Sequence, residues 1–350
     1  MYEHVDRTFA QKPPFMSFDV WKALLDRIIE YSSELPPGYR ATLVFHGGEP
    51  TLLGPQNLAS FAACAINRLG PTLRELAIQT NAILLSKDML DILTEFHIRV
   101  GVSLDGPPEI HDALRVYQSG AGSYEKTAAS LRQMIRLGLR PSVLSVIHLG
   151  VSGLKVYRHL RSLGVKSMDF LLPDFSHDTL NGVKFSSDTP VADYLIPIFD
   201  DWMNEDDPDI SIRVFEKIAG RVLSNKPDFS PFCRHPQNYL VIDTDGSVHL
   251  DDVLKVCAKN LSDSGLNVLQ NKLNDWHKAR PLFGKALRNE LPLCRKCRDC
   301  SEVQVCDGWF LPHRYSTKRG FDNPAVWCRD LLKLIQHIRL RIDHEFARCA

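Results

Sequence analysis

Strand-like and helix-like segments alternate through the first half of the chain, and that alternation predicts a parallel α/β fold. Two observations carry the prediction. Apolar strand candidates are each followed by one amphipathic stretch, which means parallel βαβ units. Polar residues then gather at the carboxyl ends of successive strands, where parallel architectures hold their ligands. Such a series suits a doubly wound sheet or a partial or full β/α barrel, and periodicity alone does not choose between them.

The elements follow in order. Residues 17–34 read as an amphipathic helix, with Ser17 as N-cap and Trp21, Leu24, Leu25, Ile28 and Ile29 on one face. Thr42–Phe45 is a short strand, and a helix over 55–69 follows. Glu75–Thr80 is the next strand, then a helix from Ser86 to Phe96 and a strand over Ile98–Leu104. Ser123 opens a helix to Leu137, with Gly138 where a C-cap belongs. Ser142–Ile147, a helix over 152–163 and Ser167–Leu172 complete the series. After Pro173 the rhythm changes: a loop over 173–190, helices near 191–204 and 212–224, and a hairpin over Tyr239–Leu250 turning at Asp245-Gly246. A final helix runs from Asp330, and a domain boundary is expected near 225.

Composition excludes several classes. Lysine plus arginine equals aspartate plus glutamate, 42 against 42, so no bulk charge argues for nucleic acid or an anionic membrane. No run reaches the length of a membrane-spanning helix, and Met1–Arg7 lacks the basic start and apolar stretch of a signal peptide. A cytoplasmic, reducing location is therefore expected, in which nine cysteines do not form a disulfide framework. Cys64, among alanines, reads as a packing residue, and Cys349 has no evident partner.

The chemistry is concentrated in two places. Cys294-x2-Cys297-x2-Cys300-x5-Cys306, with Cys328 beyond, can wrap one soft metal centre, either an iron–sulfur cluster or a structural zinc. The second place is the strand ends. His46-Gly47-Gly48-Glu49-Pro50 lets backbone approach a ligand without a Cβ in the way, and its carboxylate suits an ammonium. Gln79-Thr80-Asn81 and Ser103-Leu104-Asp105-Gly106, with His111 and Arg115 beyond, end the next two strands. Three such ends are placed to share one small-molecule pocket.

These motifs together resemble the radical SAM enzymes with a C-terminal SPASM domain. The resemblance covers nearly the whole chain and implies a partial β/α (TIM-like) barrel over 1–225, missing its first strand, with a cysteine-rich SPASM domain over 226–350. By resemblance Gly47, Gly48 and Glu49 seat the amino group of S-adenosylmethionine, Asn81, Ser103 and Asp105 line its ribose and methionine parts, and Arg115 reaches its carboxylate. Cys297, Cys300, Cys306 and Cys328 match the ligands of the second auxiliary 4Fe–4S cluster, with Cys294 a spare thiol. Asp169–Asp174 and His313–Ser316, followed by Gly320–Pro324 and Trp327-Cys328, are similar to the cyclophane-forming peptide maturases, which crosslink an aromatic ring in a ribosomally made precursor peptide. That branch implies a precursor peptide and a small electron-donor protein as partners.

The chain also departs from the family. The C-x3-C-x2-C motif, whose three thiolates hold the radical-generating 4Fe–4S cluster, is absent, because the first cysteine is Cys64. Met1-Tyr2-Glu3-His4 resembles the residues that succeed that motif in the family, so the cysteine loop and first strand are expected just upstream of Met1. As given, the chain is expected not to cleave S-adenosylmethionine reductively. The first auxiliary cluster is expected to be absent: Asp251 and Phe310 stand at cysteine positions, and Cys233 and Cys257 alone cannot hold it. Asp252 matches an aspartate that removes a proton from substrate in sulfatase maturases. The rival readings are a non-catalytic peptide- or partner-binding protein and sulfatase-type oxidation to formylglycine.

Overall fold

The computed structural model describes residues 6–224, 239–287 and 290–349. Six parallel strands lie in sequence order: β1 (Ala41–Phe45), β2 (Leu73–Thr80), β3 (Arg99–Ser103), β4 (Ser142–Val146), β5 (Ser167–Leu171) and β6 (Ser211–Ile212). Between them run α1 (Phe18–Ser33), which precedes β1, then α2 (Pro55–Leu69), α3 (Lys87–Glu95), α4 (Tyr124–Arg136), α5 (Gly153–Ser162) and α6 (Pro190–Glu205). Consecutive order without reversal is the partial-barrel solution, and it excludes the doubly wound sheet that periodicity left open. The expected loop over 173–190 precedes α6, and α7 (Arg213–Ser224) follows β6.

Local chemistry sets most boundaries. Ser17, Ser86 and Ser152 accept hydrogen bonds from the backbone N–H three residues on, at 3.2, 3.2 and 3.3 Å. Gly138 takes φ +80°, the left-handed stop expected after α4. Ser123 is not a side-chain cap: its hydroxyl donates to the Arg115 carbonyl, and Asp112 accepts from the Tyr124 N–H instead. β6 is hidden in sequence because two residues give no periodicity.

The C-terminal part carries a small antiparallel sheet, β7 (Val241–Ile242), β8 (Ser247–His249) and β9 (Asp263–Asn267). Gly246 turns the expected hairpin at φ +82°; the third strand has no counterpart in the sequence pattern. The final helix, α8 (Cys328–Cys349), starts two residues before Asp330. Asp330 instead accepts from the Val191 and Ala192 N–H groups at 2.7 and 3.1 Å and so caps α6. Lys12 reaches Ser247 at 2.7 Å, and Asp6 accepts from the Asn260 N–H at 2.6 Å, strapping the N-terminal segment across the small sheet. One apolar core runs from the parallel sheet to Val305, Trp309, Phe310 and Trp327, while Leu293, Cys294 and Cys297 form a separate small cluster.

The expected boundary near 225 and Met1–His4 lie outside the described residues. β1 is the sheet edge: among the described residues no strand pairs with its far side, and Val44 is 54% exposed. No helix among the described residues is long and apolar enough to cross a membrane.

Phe199 is fully buried where α6, α7 and α8 meet, 5.3 Å from Phe215 and 5.9 Å from the His337 ring. Phe199→Ala should lower the unfolding free energy by about 3–5 kcal/mol. A urea-unfolding midpoint unchanged from wild type would show that this junction is not part of the cooperative core.

Candidate functional site

The parallel register brings the carboxyl ends of β1, β2 and β3 side by side, so the three expected motifs share one edge of the sheet. The loop after β1 is open above its backbone: a Cβ on Gly47 or Gly48 would meet nothing within 4 Å. Gly47 also takes φ +112°, which only glycine adopts without strain.

Glu49 does something the sequence did not suggest. Its Oε1 accepts from the Thr51 N–H at 3.0 Å, the Thr51 hydroxyl at 2.6 Å and the Thr80 hydroxyl at 2.7 Å, and Oε2 accepts from the Asn81 N–H at 2.8 Å. A carboxylate offers about four lone-pair sites. Four hydrogen bonds leave it tying the glycine loop to the end of β2 rather than free for an ammonium. Thr51 is thus a site residue that sequence reading missed, while Thr80, named there as part of a strand end, gains a partner in Glu49; only the threonine two residues beyond the carboxylate hinted at such a turn.

Asp105 is a second strut. It is 3% exposed, and its Oδ1 accepts from the Val146 N–H at 2.9 Å and from Arg115 Nη2 at 3.2 Å. Arg115 Nε donates to Oδ2, and His148 Nε2 lies 3.6 Å from that oxygen. Burial alone would raise this carboxyl, but the His148 ring and the Arg115 guanidinium overcome it and hold it at about 2. Asp105 therefore orients Arg115 and joins β3 to β4. Asn81 Oδ1 accepts from the Ile83 N–H at 3.0 Å, and Ser103 Oγ accepts from Gln79 Nε2 at 3.0 Å. His111, fully buried, accepts from the Asp105 N–H at 3.2 Å; burial pushes it down to about 4, so it is a neutral structural ring. His148 Nε2 and the Tyr194 hydroxyl are buried without a hydrogen-bond partner near Asp105. An open glycine cradle, an oriented guanidinium and orphaned polar atoms fit a zwitterionic, ribose-bearing cofactor such as S-adenosylmethionine.

The cysteines converge as well. Cys294 is buried against Cys297, and Cys297, Cys300, Cys306 and Cys328 lie within electrostatic reach of one another. Burial pushes the Cys297 and Cys306 thiols up to about 12, with neighbouring thiols adding to it. Among the described residues no three ligands close on a single metal ion; a polynuclear cluster needs its thiols further apart. Cys257 is separate: its Sγ donates to the Pro312 carbonyl at 3.6 Å. Cys64 is half-buried against the core, as a packing residue should be. Cys233 lies outside the described residues. The sequence holds no C-x3-C-x2-C motif.

The remaining motifs divide between structure and site. Asp169 pairs with Arg213 at 2.5 Å, and buried Arg314 donates to the Pro292 and Phe321 carbonyls at 2.6 and 3.0 Å, so both are structural. Asp251 is buried, accepts from the Tyr239 hydroxyl and from the Val253 N–H at 2.9 Å, and is raised by burial and by Asp252. Burial and Asp252 push Asp174, just beyond β5, up to about 7. Asp252, Asp251 and Asp174 thus form one acidic group.

Because the Asp105 carboxyl is depressed, its contribution is complete above the unfolded value near 4 and is lost as pH falls through about 2. The stability difference between wild type and Asp105→Asn should shrink by about 2 kcal/mol as pH drops from 5 towards 2. Urea titrations giving a pH-independent difference would contradict this pairing.

Residues 10–163 match the radical SAM superfamily. The chain is 28% identical to a cysteine-type anaerobic sulfatase-maturating enzyme of Clostridium novyi, over 82% of this chain and 77% of that protein. It is 23% identical to a serine-type counterpart of Bacteroides thetaiotaomicron, over 94% and 82%. In fold it is similar to native anSMEcpe with bound AdoMet and the Kp18Cys peptide, at a TM-score of 0.79 and 20% identity, covering 94% of this chain and 90% of that one. Streptococcus suis SuiB bound to precursor peptide SuiA follows at a TM-score of 0.61 and 16% identity, covering 89% and 69%. Residues 10–163 thus match the radical SAM superfamily, and over most of its length the chain is similar to the anaerobic sulfatase-maturating enzymes.

Proposed function

We propose that this chain is a radical SAM peptide maturase of the cyclophane-forming type, working on a ribosomally made precursor peptide in the cytoplasm with a small electron-donor protein. The observation that carries the reading is the shared strand edge, where the Gly47-Gly48 loop, Asn81, Ser103 and the Asp105-oriented Arg115 lie at the ends of three neighbouring strands. Gly47 and Gly48 would admit S-adenosylmethionine against bare backbone. Arg115, already fixed by Asp105, would pair with its carboxylate, while Asn81 and Ser103 would meet the ribose. Cys297, Cys300, Cys306 and Cys328 would hold one auxiliary 4Fe–4S cluster, which supplies an electron path or a scaffold beside the peptide. Asp252, near the Asp174 and Asp251 carboxyls, would accept the proton released on substrate oxidation.

The sequence contains no ligands for a radical-generating cluster, so the chain as given is proposed to bind the cofactor without cleaving it. Sulfatase-type oxidation is the second reading, favoured by 28% identity to the Clostridium novyi enzyme. A partner-binding role without chemistry is the third, and it is distinguished by its lack of any need for S-adenosylmethionine.

Anaerobic reconstitution with iron and sulfide should load about four irons per chain, and Cys306→Ser should lose them. About eight irons would mean that a second cluster forms, and a zinc-only product would remove the cluster assignment. Incubation with S-adenosylmethionine and dithionite should yield no 5′-deoxyadenosine; its appearance would show that this chain assembles a radical centre unaided. In a protein extended with a C-x3-C-x2-C segment, Asp252→Asn should slow peptide turnover at least 100-fold, and unchanged turnover would dispose of Asp252 as the base.

A further inference from the structure

Asp174 stands just beyond the carboxyl end of β5, as Asp105 stands just beyond that of β3. Its side chain keeps 47% of its accessible surface, so a ligand can reach it. Burial and the charge of Asp252 are what bear on it, and among the described residues no cation and no hydrogen-bond donor meets it. Beside it is His313. That residue is 1% exposed and edge-on to Phe310, and neither of its ring nitrogens has a hydrogen-bond partner. The Pro173 carbonyl bears on the ring and favours its protonated form, against the effect of burial. Its Nε2 is 3.9 Å from Asp174 Oδ1. Burial drives the ring down to about 3, so it is neutral and keeps one lone pair free.

An accessible carboxylate, a second one near it and a buried neutral ring whose lone pair has no hydrogen-bond partner offer three acceptor groups. Buried polar groups of this kind are costly to leave unmade. A primary ammonium carries three donors and no acceptor. With N···acceptor distances of about 2.8–3.0 Å it spans two acceptors 3.9 Å apart. We propose that Asp174, His313 and Asp252 form a receptor for a primary ammonium of the peptide substrate, either a lysine side chain or the peptide's own amino terminus. The proposal rests on the peptide-maturase reading for the identity of the ligand, and adds to it a specificity for cationic peptides. Asp174 would supply the charge, His313 the directed lone pair, and Asp252 the third acceptor.

The test monitors the His313 ring nitrogens by ¹⁵N NMR in the full chain. n-Butylammonium should shift them saturably, while n-butanol and tetramethylammonium, which lack charge or donors, should not. Asp174→Asn should weaken the n-butylammonium response at least tenfold, and Asp252→Asn should weaken it too, which keeps the test standing if the first variant fails to fold. Two tripeptide amides then separate the sources: acetyl-Ala-Lys-Ala offers only the side-chain ammonium, and unblocked Ala-Ala-Ala only the terminus. Binding of either supports the receptor and names its ligand. Binding of neither, or a folded Asp174→Asn protein with wild-type response, overturns it. S-adenosylmethionine affinity on the same sample reports the maturase reading separately. Cofactor binding without ammonium binding removes the receptor alone, and ammonium binding without cofactor binding removes the maturase reading alone.

Discussion

The Glu49 carboxylate is the constraint on which the site depends. A glycine pair with φ +112° at Gly47 has no conformation of its own to keep, and β1 is the edge of the sheet. Glu49 supplies what those residues lack, by accepting from Thr51 on its own loop and from Thr80 and Asn81 at the end of β2. Four donors on one carboxylate fix the loop against the neighbouring strand, with open space above its bare backbone. Asp105 repeats the device one strand further on, tying β3, β4 and Arg115 together. Anions are good struts here because charge-assisted hydrogen bonds are short and strong, and backbone N–H groups at strand ends need acceptors.

Much of this is legible in the sequence. Apolar runs at period two and helix faces at period 3.6 place five of the six parallel strands, and the serine caps at Ser17, Ser86 and Ser152 fix helix starts. Strand-end residues are legible because parallel connectivity forces the ends of consecutive strands to one side. β6 and β9 are not, because two residues carry no period and a strand containing Gly265 reads as a turn. Nor is the role of Glu49: a carboxylate beside two glycines reads as a ligand group, and only the register with β2 reveals its donors.

The acidic group obeys the same logic. Asp251, Asp252 and Asp174 are 77 residues apart at their closest across the two segments, and nothing local links them. They meet because β8 and the loop after β5 close on the same end of the sheet, with Trp327 donating to the Pro173 carbonyl at 3.0 Å to hold that loop. His313 reads in sequence as part of a branch motif, and its orphaned nitrogens appear only in three dimensions. Struts with saturated hydrogen bonds and walls with unsatisfied ones thus divide the labour at the carboxyl ends of the sheet.

Calorimetric titration of S-adenosylmethionine into wild type and Glu49→Gln tests this account most directly. An amide cannot accept four donors, so the glycine loop should loosen. The account predicts one site per chain in wild type and at least tenfold weaker binding in the variant, with the fold retained by circular dichroism. No binding by wild type, or equal affinity in the two proteins, would contradict it.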